Sequence, residues 1–220
     1  MSKRVAVYID GFNLYHAIDE SCQRHHKWVD LFSLSRSLLR EGEELSAVYY
    51  YSAFATWLPG QYKRHREYVK ALQHAGVTTV MGKFKKKDQS CKKCGATWVG
   101  HEEKESDVRL SIGLVADAFQ DKFDRAIVIS ADSDLVPPIE FVRSTFSNKT
   151  VFVAAPPGRM GTGRDLDPKL EITRGRIAKH LLPERVVGVD GVLVYERPDV
   201  YAVPQPSAMQ AAFSGAIAKK

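Results

Sequence analysis

The sequence predicts an α/β fold, a three-layer α/β/α sandwich around a mainly parallel central sheet, with a small cysteine-containing insertion and a C-terminal extension. Three observations predict it. Short β-branched apolar runs alternate with helix-patterned stretches from residue 4 to residue 155. The strand candidates are apolar almost throughout rather than at every second residue, as in strands covered on both faces. Two of those runs stop in acids, Val5–Ile9 at Asp10 and Ala126–Ser130 shortly before Asp132 and Asp134, as sheet strands do where they open into a crevice. With 220 residues and 44% hydrophobic content, the chain can bury one sizeable core. The expected organisation is a main domain over residues 1–155 with a polar insertion at 85–100, an extension at 156–203 that packs on it, and a flexible tail at 204–220.

Each element follows from local chemistry. Val5 to Ile9 reads as a central parallel strand. Leu14 to Ala17 and Leu31 to Leu39 carry apolar residues at helical spacing, with Asp30 placed to cap the second. The aromatic-rich run Leu45–Phe54 is a second strand, Pro59-Gly60 a turn, and Tyr62 to His74 a basic helix. Val77 to Phe84 is a third strand, and the polar stretch to Gly100 a hairpin or knuckle around Cys91-Lys-Lys-Cys94-Gly. Val108, Ile112, Val115 and Phe119 recur at spacings of four, three and four and are expected to form the buried face of a helix with Asp107 in its first turn. Ala126 to Ser130 is a strand, Leu135 to Phe146 a helix entered through Pro137-Pro138, and Thr150 to Ala155 the last core strand. Arg159 to Asp167 is a loop, Pro168 to Leu182 holds one or two helices, and Val186 to Tyr195 is a strand pair turning at Asp190-Gly191.

Charge and cysteine usage narrow the class. Lys and Arg number 32 against 26 Asp and Glu, a net charge of +6 that suits a polyanionic partner. The basic residues cluster at Lys63–Arg66, Lys83–Lys87 and Lys92-Lys93, although any one such run taken alone reads first as a solvated face. Three cysteines, an odd count, do not make a disulfide framework and point to a reducing, cytoplasmic setting. No apolar stretch reaches the ~18 residues of a membrane span, and the first residues turn acidic too soon for a signal peptide.

The acids carry the chemistry. Asp10, Asp132 and Asp134 follow parallel strands and Asp107 opens the helix between them, so all four can reach one crevice. A single Asp after a strand is usually a turn or helix cap. Three clusters converging instead suggest a site for Mg²⁺ or Mn²⁺, which favour hard oxygen ligands and relieve the repulsion of close carboxylates.

Tyr8-Ile-Asp10-Gly-Phe-Asn13-Leu, Glu103-Lys-Glu-Ser-Asp107-Val-Arg-Leu and Val128-Ile-Ser130-Ala-Asp132-Ser-Asp134-Leu, in this order, resemble the NYN domain branch of the PIN-like nuclease superfamily. The resemblance covers roughly residues 4 to 155. It implies a Mg²⁺- or Mn²⁺-dependent ribonuclease in which Asp10, Asp107 and Asp132 are the principal metal-binding carboxylates. Asp134 would be a further ligand or an outer acid, and Asn13 would orient water, a carboxylate or the phosphate unless it merely caps its helix. Ser130 and Ser133 would hydrogen-bond the acids rather than attack, since neither motif supplies a histidine base. RNA would lie along a positive rim of Lys83, Lys85, Lys86, Lys87, Arg109 and Arg159, with Tyr15, Trp57 and Trp98 free either to stack on bases or to pack internally. The chain departs from the family at Glu105, where a small residue, commonly Gly, is usual. Glu105 adds a carboxylate at the crevice rim or faces solvent.

Other functions fit less well. An RNA-binding or scaffold module without turnover would not need every acid intact. A phosphatase using Asp10 as nucleophile would need a second acid at position 12, which is Phe, and no Gly-x-Gly-x-x-Gly follows the first strand. Cys91 and Cys94 have knuckle spacing for Zn²⁺, with His101 and another residue, or a second copy in a homodimer, completing the site; otherwise they are free thiols at a turn. Cys22, His25 and His26 are left without a role.

Overall fold

The computed structural model describes residues 2–162 and 164–204; the expected tail, Pro204 apart, lies outside them. The strands are β1 (Lys3–Asp10), β2 (Glu43–Ala53), β3 (Thr78–Ser90), β4 (Thr97–Lys104), β5 (Arg125–Ile129), β6 (Thr150–Ala155), β7 (Leu170–Glu171), β8 (Arg185–Val187) and β9 (Leu193–Glu196). The helices are α1 (Gly11–Ser21), α2 (Leu31–Arg36), α3 (Pro59–His74), α4 (Ser106–Phe119), α5 (Val136–Thr145) and α6 (Arg174–Ala178). Seven strands form one sheet in the order β4-β3-β2-β1-β5-β6-β7, parallel except for β4, and β8 and β9 form a separate hairpin.

β1 organises the layers. It pairs with β2 on one side and β5 on the other, so the connections diverge here and leave a crevice beyond its carboxyl end. Its pleat divides the core. Val5, Val7 and Ile9 join Leu14, Leu34 and Leu72 on the α1–α3 side, whereas Ala6 and Tyr8 join Leu110, Leu114 and Ile139 on the α4–α5 side. The three-layer sandwich is the consequence. The extension belongs to the first of these cores, through Ile172, Ile177, Leu182, Tyr195 and Tyr201, and Trp28 Nε1 donates to the Pro183 carbonyl at 3.0 Å.

Helix starts follow capping chemistry. Asp30 accepts from the backbone N–H groups of Phe32 and Ser33, both at 3.0 Å. Gly11 lets α1 begin against β2, since a Cβ there would lie 2.6 Å from the Tyr50 ring and from the Tyr51 carbonyl oxygen. Pro59 and Gly60, expected in a turn, are instead the first residues of α3, where the missing proline N–H costs no intrahelical bond. The stretch 168–182 holds one short helix, α6, together with β7, the seventh strand of the sheet.

The expected buried face of α4 is the wrong one. Val108, Ile112 and Phe119 are 60%, 62% and 63% exposed, while Leu110, Leu114 and Ala118 are fully packed. The helix carries two apolar rows, and polar partners choose between them. Tyr8 Oη donates to Asp117 Oδ2 at 2.8 Å and Lys122 pairs with Asp117 Oδ1 at 2.8 Å, so the row containing Asp117 is the one that can be buried without an unpaired charge. Gly113 admits the Tyr51 hydroxyl, which a Cβ there would overlap. This rotation matters for function. Asp107 is seven residues before Leu114, on the same helical face, and therefore points toward the sheet's carboxyl edge.

The two faces separate in a denaturant melt. Leu114→Ala should cost about 2 to 5 kcal/mol, as buried Leu truncations do, and Ile112→Ala should stay within about 0.5 kcal/mol. Urea unfolding followed by circular dichroism measures both.

Candidate metal centre

Three carboxylates meet at the end of β1. Asp10, Asp107 and Asp132 each present an oxygen, and the three oxygens lie within 4.8 Å of one another. They come from three elements: Asp10 ends β1 and caps α1, Asp107 is in the first turn of α4, and Asp132 follows β5. Register brings two of these together, because Ile9 pairs with Ile129 and the next residues along the two strands are Asp10 and Ser130.

Hydrogen bonds fix the arrangement. Asp10 is only 4% exposed; its Oδ1 accepts from the Asn13 N–H at 3.0 Å and its Oδ2 from Ser130 Oγ at 2.8 Å. Ser130 Oγ in turn accepts from the Asp132 N–H at 3.1 Å, so one hydroxyl ties the two acids. Asn13 Oδ1 accepts from the Ala131 N–H at 3.0 Å, which pins the β5 loop to α1. Asp132 Oδ1 accepts from the Asp134 N–H at 3.0 Å. Asp134 is exposed and outside the group of three, and Ser133 is exposed as well.

Electrostatics leave the centre short of positive charge. Burial, reinforced by the charges of Asp10, Asp132, Glu103 and Asp134, pushes Asp107 up to about 6. Burial also raises Asp10, against the hydrogen bonds from Asn13 and Ser130 and with the repulsion of Asp132 and Glu103. Among the described residues no Lys or Arg pairs with any of Asp10, Asp107, Asp132 or Asp134. A cluster of hard oxygens, desolvated and unneutralised, fits a divalent cation.

The centre opens into a crevice of ≈ 710 Å³ that reaches Phe12, His16, Glu20, Phe84, His101, Glu103 and Arg159. One wall is aromatic. Phe12 meets Phe84 edge-on at 5.5 Å, Phe84 meets Trp57 at 4.6 Å, and Trp57 stacks on His101 at 3.7 Å and 6°. Phe84 and Glu103 have no distinctive spacing in the sequence and enter the site only through the fold. His101, expected beside zinc, pairs with Lys86, four ladder positions from Ser90 and roughly 13 Å from the hairpin tip. It cannot share an ion with Cys91 and Cys94. Glu103 has a structural task as well, since its Oε1 accepts from Ser106 Oγ at 2.6 Å and from the Ser106 N–H at 3.2 Å at the start of α4.

The basic rim is only partly aimed at the crevice. Phe84 and Lys86 lie on one face of β3 and Lys83, Lys85 and Lys87 on the other, because side chains alternate. Lys83 and Arg109 are both paired with Glu105, at 2.5 and 3.0 Å, and Lys87 is paired with Glu102. Arg159 reaches the crevice with Glu20 at 2.6 Å. Trp57 sits in the aromatic wall, Trp98 is half exposed on the hairpin, and Tyr15 lines a separate cavity of ≈ 120 Å³ on the far side of Phe12. Glu105 does not line the crevice; it holds φ = 84°, left-handed, between β4 and α4.

The NYN domain profile matches residues 4–166. The chain belongs to the NYN domain family. Its match extends past β6 through the loop that carries Arg159. A solved structure with the same fold is a protein of unknown function from Vibrio parahaemolyticus RIMD 2210633, 19% identical, with a TM-score of 0.51 over 78% of this chain and 93% of the other. No curated protein matches this NYN chain in sequence. The positive φ at Glu105 is one that a residue without Cβ takes freely, so the backbone at this position favours glycine.

Two outcomes follow. A carboxylate raised in the folded state binds protons more tightly there than in the unfolded chain, so its penalty is absent below the ordinary carboxylate range and grows as pH rises through about 6. In metal-free buffer Asp107→Asn should therefore melt a few degrees above wild type at pH 7, and the gap should close by pH 4; added Mn²⁺ should stabilise wild type alone. Glu105→Gly should melt above Glu105→Ala by a few degrees in scanning calorimetry, because only Gly relieves the backbone while both lose the same ion pairs.

Proposed function

We propose that this NYN protein is a metal-dependent ribonuclease that hydrolyses RNA phosphodiester bonds, with Mg²⁺ or Mn²⁺ held by Asp10, Asp107 and Asp132. The observation that carries this reading is the set of three mutually close carboxylates with no neutralising side chain among the described residues, at the strand-divergence point of an NYN fold. When bound, the ion supplies Lewis-acid activation of water and neutralises charge on the phosphate. The chain's own residues do the rest. Asp10, held by Ser130 and Asn13, keeps its oxygens in place without rearrangement, and Asp132 is positioned through the same hydroxyl.

Asp107 can hold a proton near neutral pH, so it is suited to exchange a proton for a cation as the site loads. Asp134 acts as an outer acid that adds negative field at the loop. Asn13 works chiefly by holding the Ala131 loop, as its amide oxygen is committed there. Lys86 and Arg159 are the basic side chains best placed for backbone phosphates, with Lys83, Lys85, Lys87 and Arg109 contributing general positive potential. Cytoplasmic residence accords with the three free cysteines, and among the described residues no helix is long and apolar enough to cross a membrane.

With Mn²⁺ and labelled single-stranded RNA, Asp10→Asn and Asp132→Asn should each lose at least about 100-fold in cleavage rate while keeping RNA binding within a fewfold. Equal cleavage by wild type and both variants would refute the centre. Tight RNA binding with no cleavage under any divalent ion would favour a binding module with the same fold.

A further inference from the structure

The β3–β4 hairpin leaves the sheet at Gly82, the last residue that pairs with β2, and from Lys83 to Ser90 β3 pairs with β4 alone. Eight residues at about 3.3 Å each carry its tip roughly 26 Å beyond that point. The tip is a tight Cys91-Lys92-Lys93-Cys94-Gly95 turn. The Cys91 N–H donates to the Ala96 carbonyl and the Gly95 N–H to the Cys91 carbonyl, both at 2.8 Å, and Gly95 takes φ = 71°. The two cysteines thus flank one tight turn, Cys91 half-buried and Cys94 exposed. Both cysteines are unbridged.

A tight turn that carries two cysteines at this spacing and closes on a left-handed glycine is half of a tetrahedral zinc site. The other half is not found among the described residues of the same chain. Among the described residues the acid centre is the only place where three or more His, Cys, Asp or Glu side chains come together, and His101 lies too far down the arm. Tetrahedral thiolate zinc needs two further ligands, and a protruding tip with no covering element can meet its own counterpart about a two-fold axis.

We propose that two copies of this chain are clasped tip to tip by one Zn²⁺ held by Cys91 and Cys94 of each copy. The charges agree. Four thiolates around Zn²⁺ make a dianion, and Lys92 and Lys93, which make no ion pair among the described residues, would surround it with four cations from the two copies. Trp98, half exposed beside the tip, offers apolar surface for the facing arm. A fourth thiolate leaves no open position, so the clasp is structural and separate from the acid centre.

The full chain, supplied with zinc and purified without chelator or an affinity histidine tag, should carry about half an equivalent of zinc per chain. Light scattering should give twice the chain mass of 24.6 kDa, and cobalt exchanged for zinc should show thiolate charge-transfer and tetrahedral ligand-field bands. The double variant Cys91→Ser with Cys94→Ser should lose the zinc and become monomeric, with an unchanged far-ultraviolet circular dichroism spectrum and unchanged Mn²⁺ binding at the acid centre. A wild type without zinc, a monomer holding one zinc per chain, or a dimer that survives the double substitution would each overturn the clasp. None of these readings depends on RNA cleavage, so the ribonuclease proposal stands or falls separately.

Discussion

Like charges held close in a desolvated corner are the constraint around which this molecule is arranged. Asp10, Asp107 and Asp132 repel one another, and burial removes the water that would screen them. The fold tolerates this because each acid is attached to a rigid element and two are tied to one hydroxyl. Ser130 is as important here as any carboxylate, since it satisfies Asp10 and accepts from Asp132 within a single buried contact. The fold therefore carries an electrostatic deficit that a divalent cation can relieve.

The same economy explains how α4 is seated. A helix with two apolar rows has no unique orientation by hydrophobicity alone. Asp117 breaks the tie, because Tyr8 and Lys122 satisfy it only when its row faces the sheet. Asp107 reaches the crevice as a by-product of that choice. A polar contact ten residues away thus decides where one of the three clustered acids points, with Leu110 and Leu114 filling the space between.

Much of this was legible in the sequence. The strands, the alternation of layers and the acids at strand ends are periodic or terminal features, which local patterns encode directly. The face of α4 was not, since its apolar spacing fits the exposed row as well as the buried one and the Tyr8–Asp117 contact spans 109 positions. The aromatic wall was equally hidden. Phe12, Phe84, Trp57 and His101 come from α1, β3, the β2–α3 loop and β4, and only the sheet order brings them together. Lys83, Lys85, Lys86 and Lys87 read as one basic run, yet the pleat splits them between two faces.

Glu105 joins the long hairpin to the helix that carries Asp107, and it is held by Lys83 from β3 and Arg109 from α4. This joint makes the base of the arm mechanically continuous with the acid centre. Residues added in matched pairs near the tip leave the joint untouched and change only the reach of the arm. A single residue added at the base would turn every side chain below it to the opposite face, taking Phe84 out of the aromatic wall and shifting the first turn of α4. The arm is thus free to vary in length only at the end remote from the acids, where its cysteines lie.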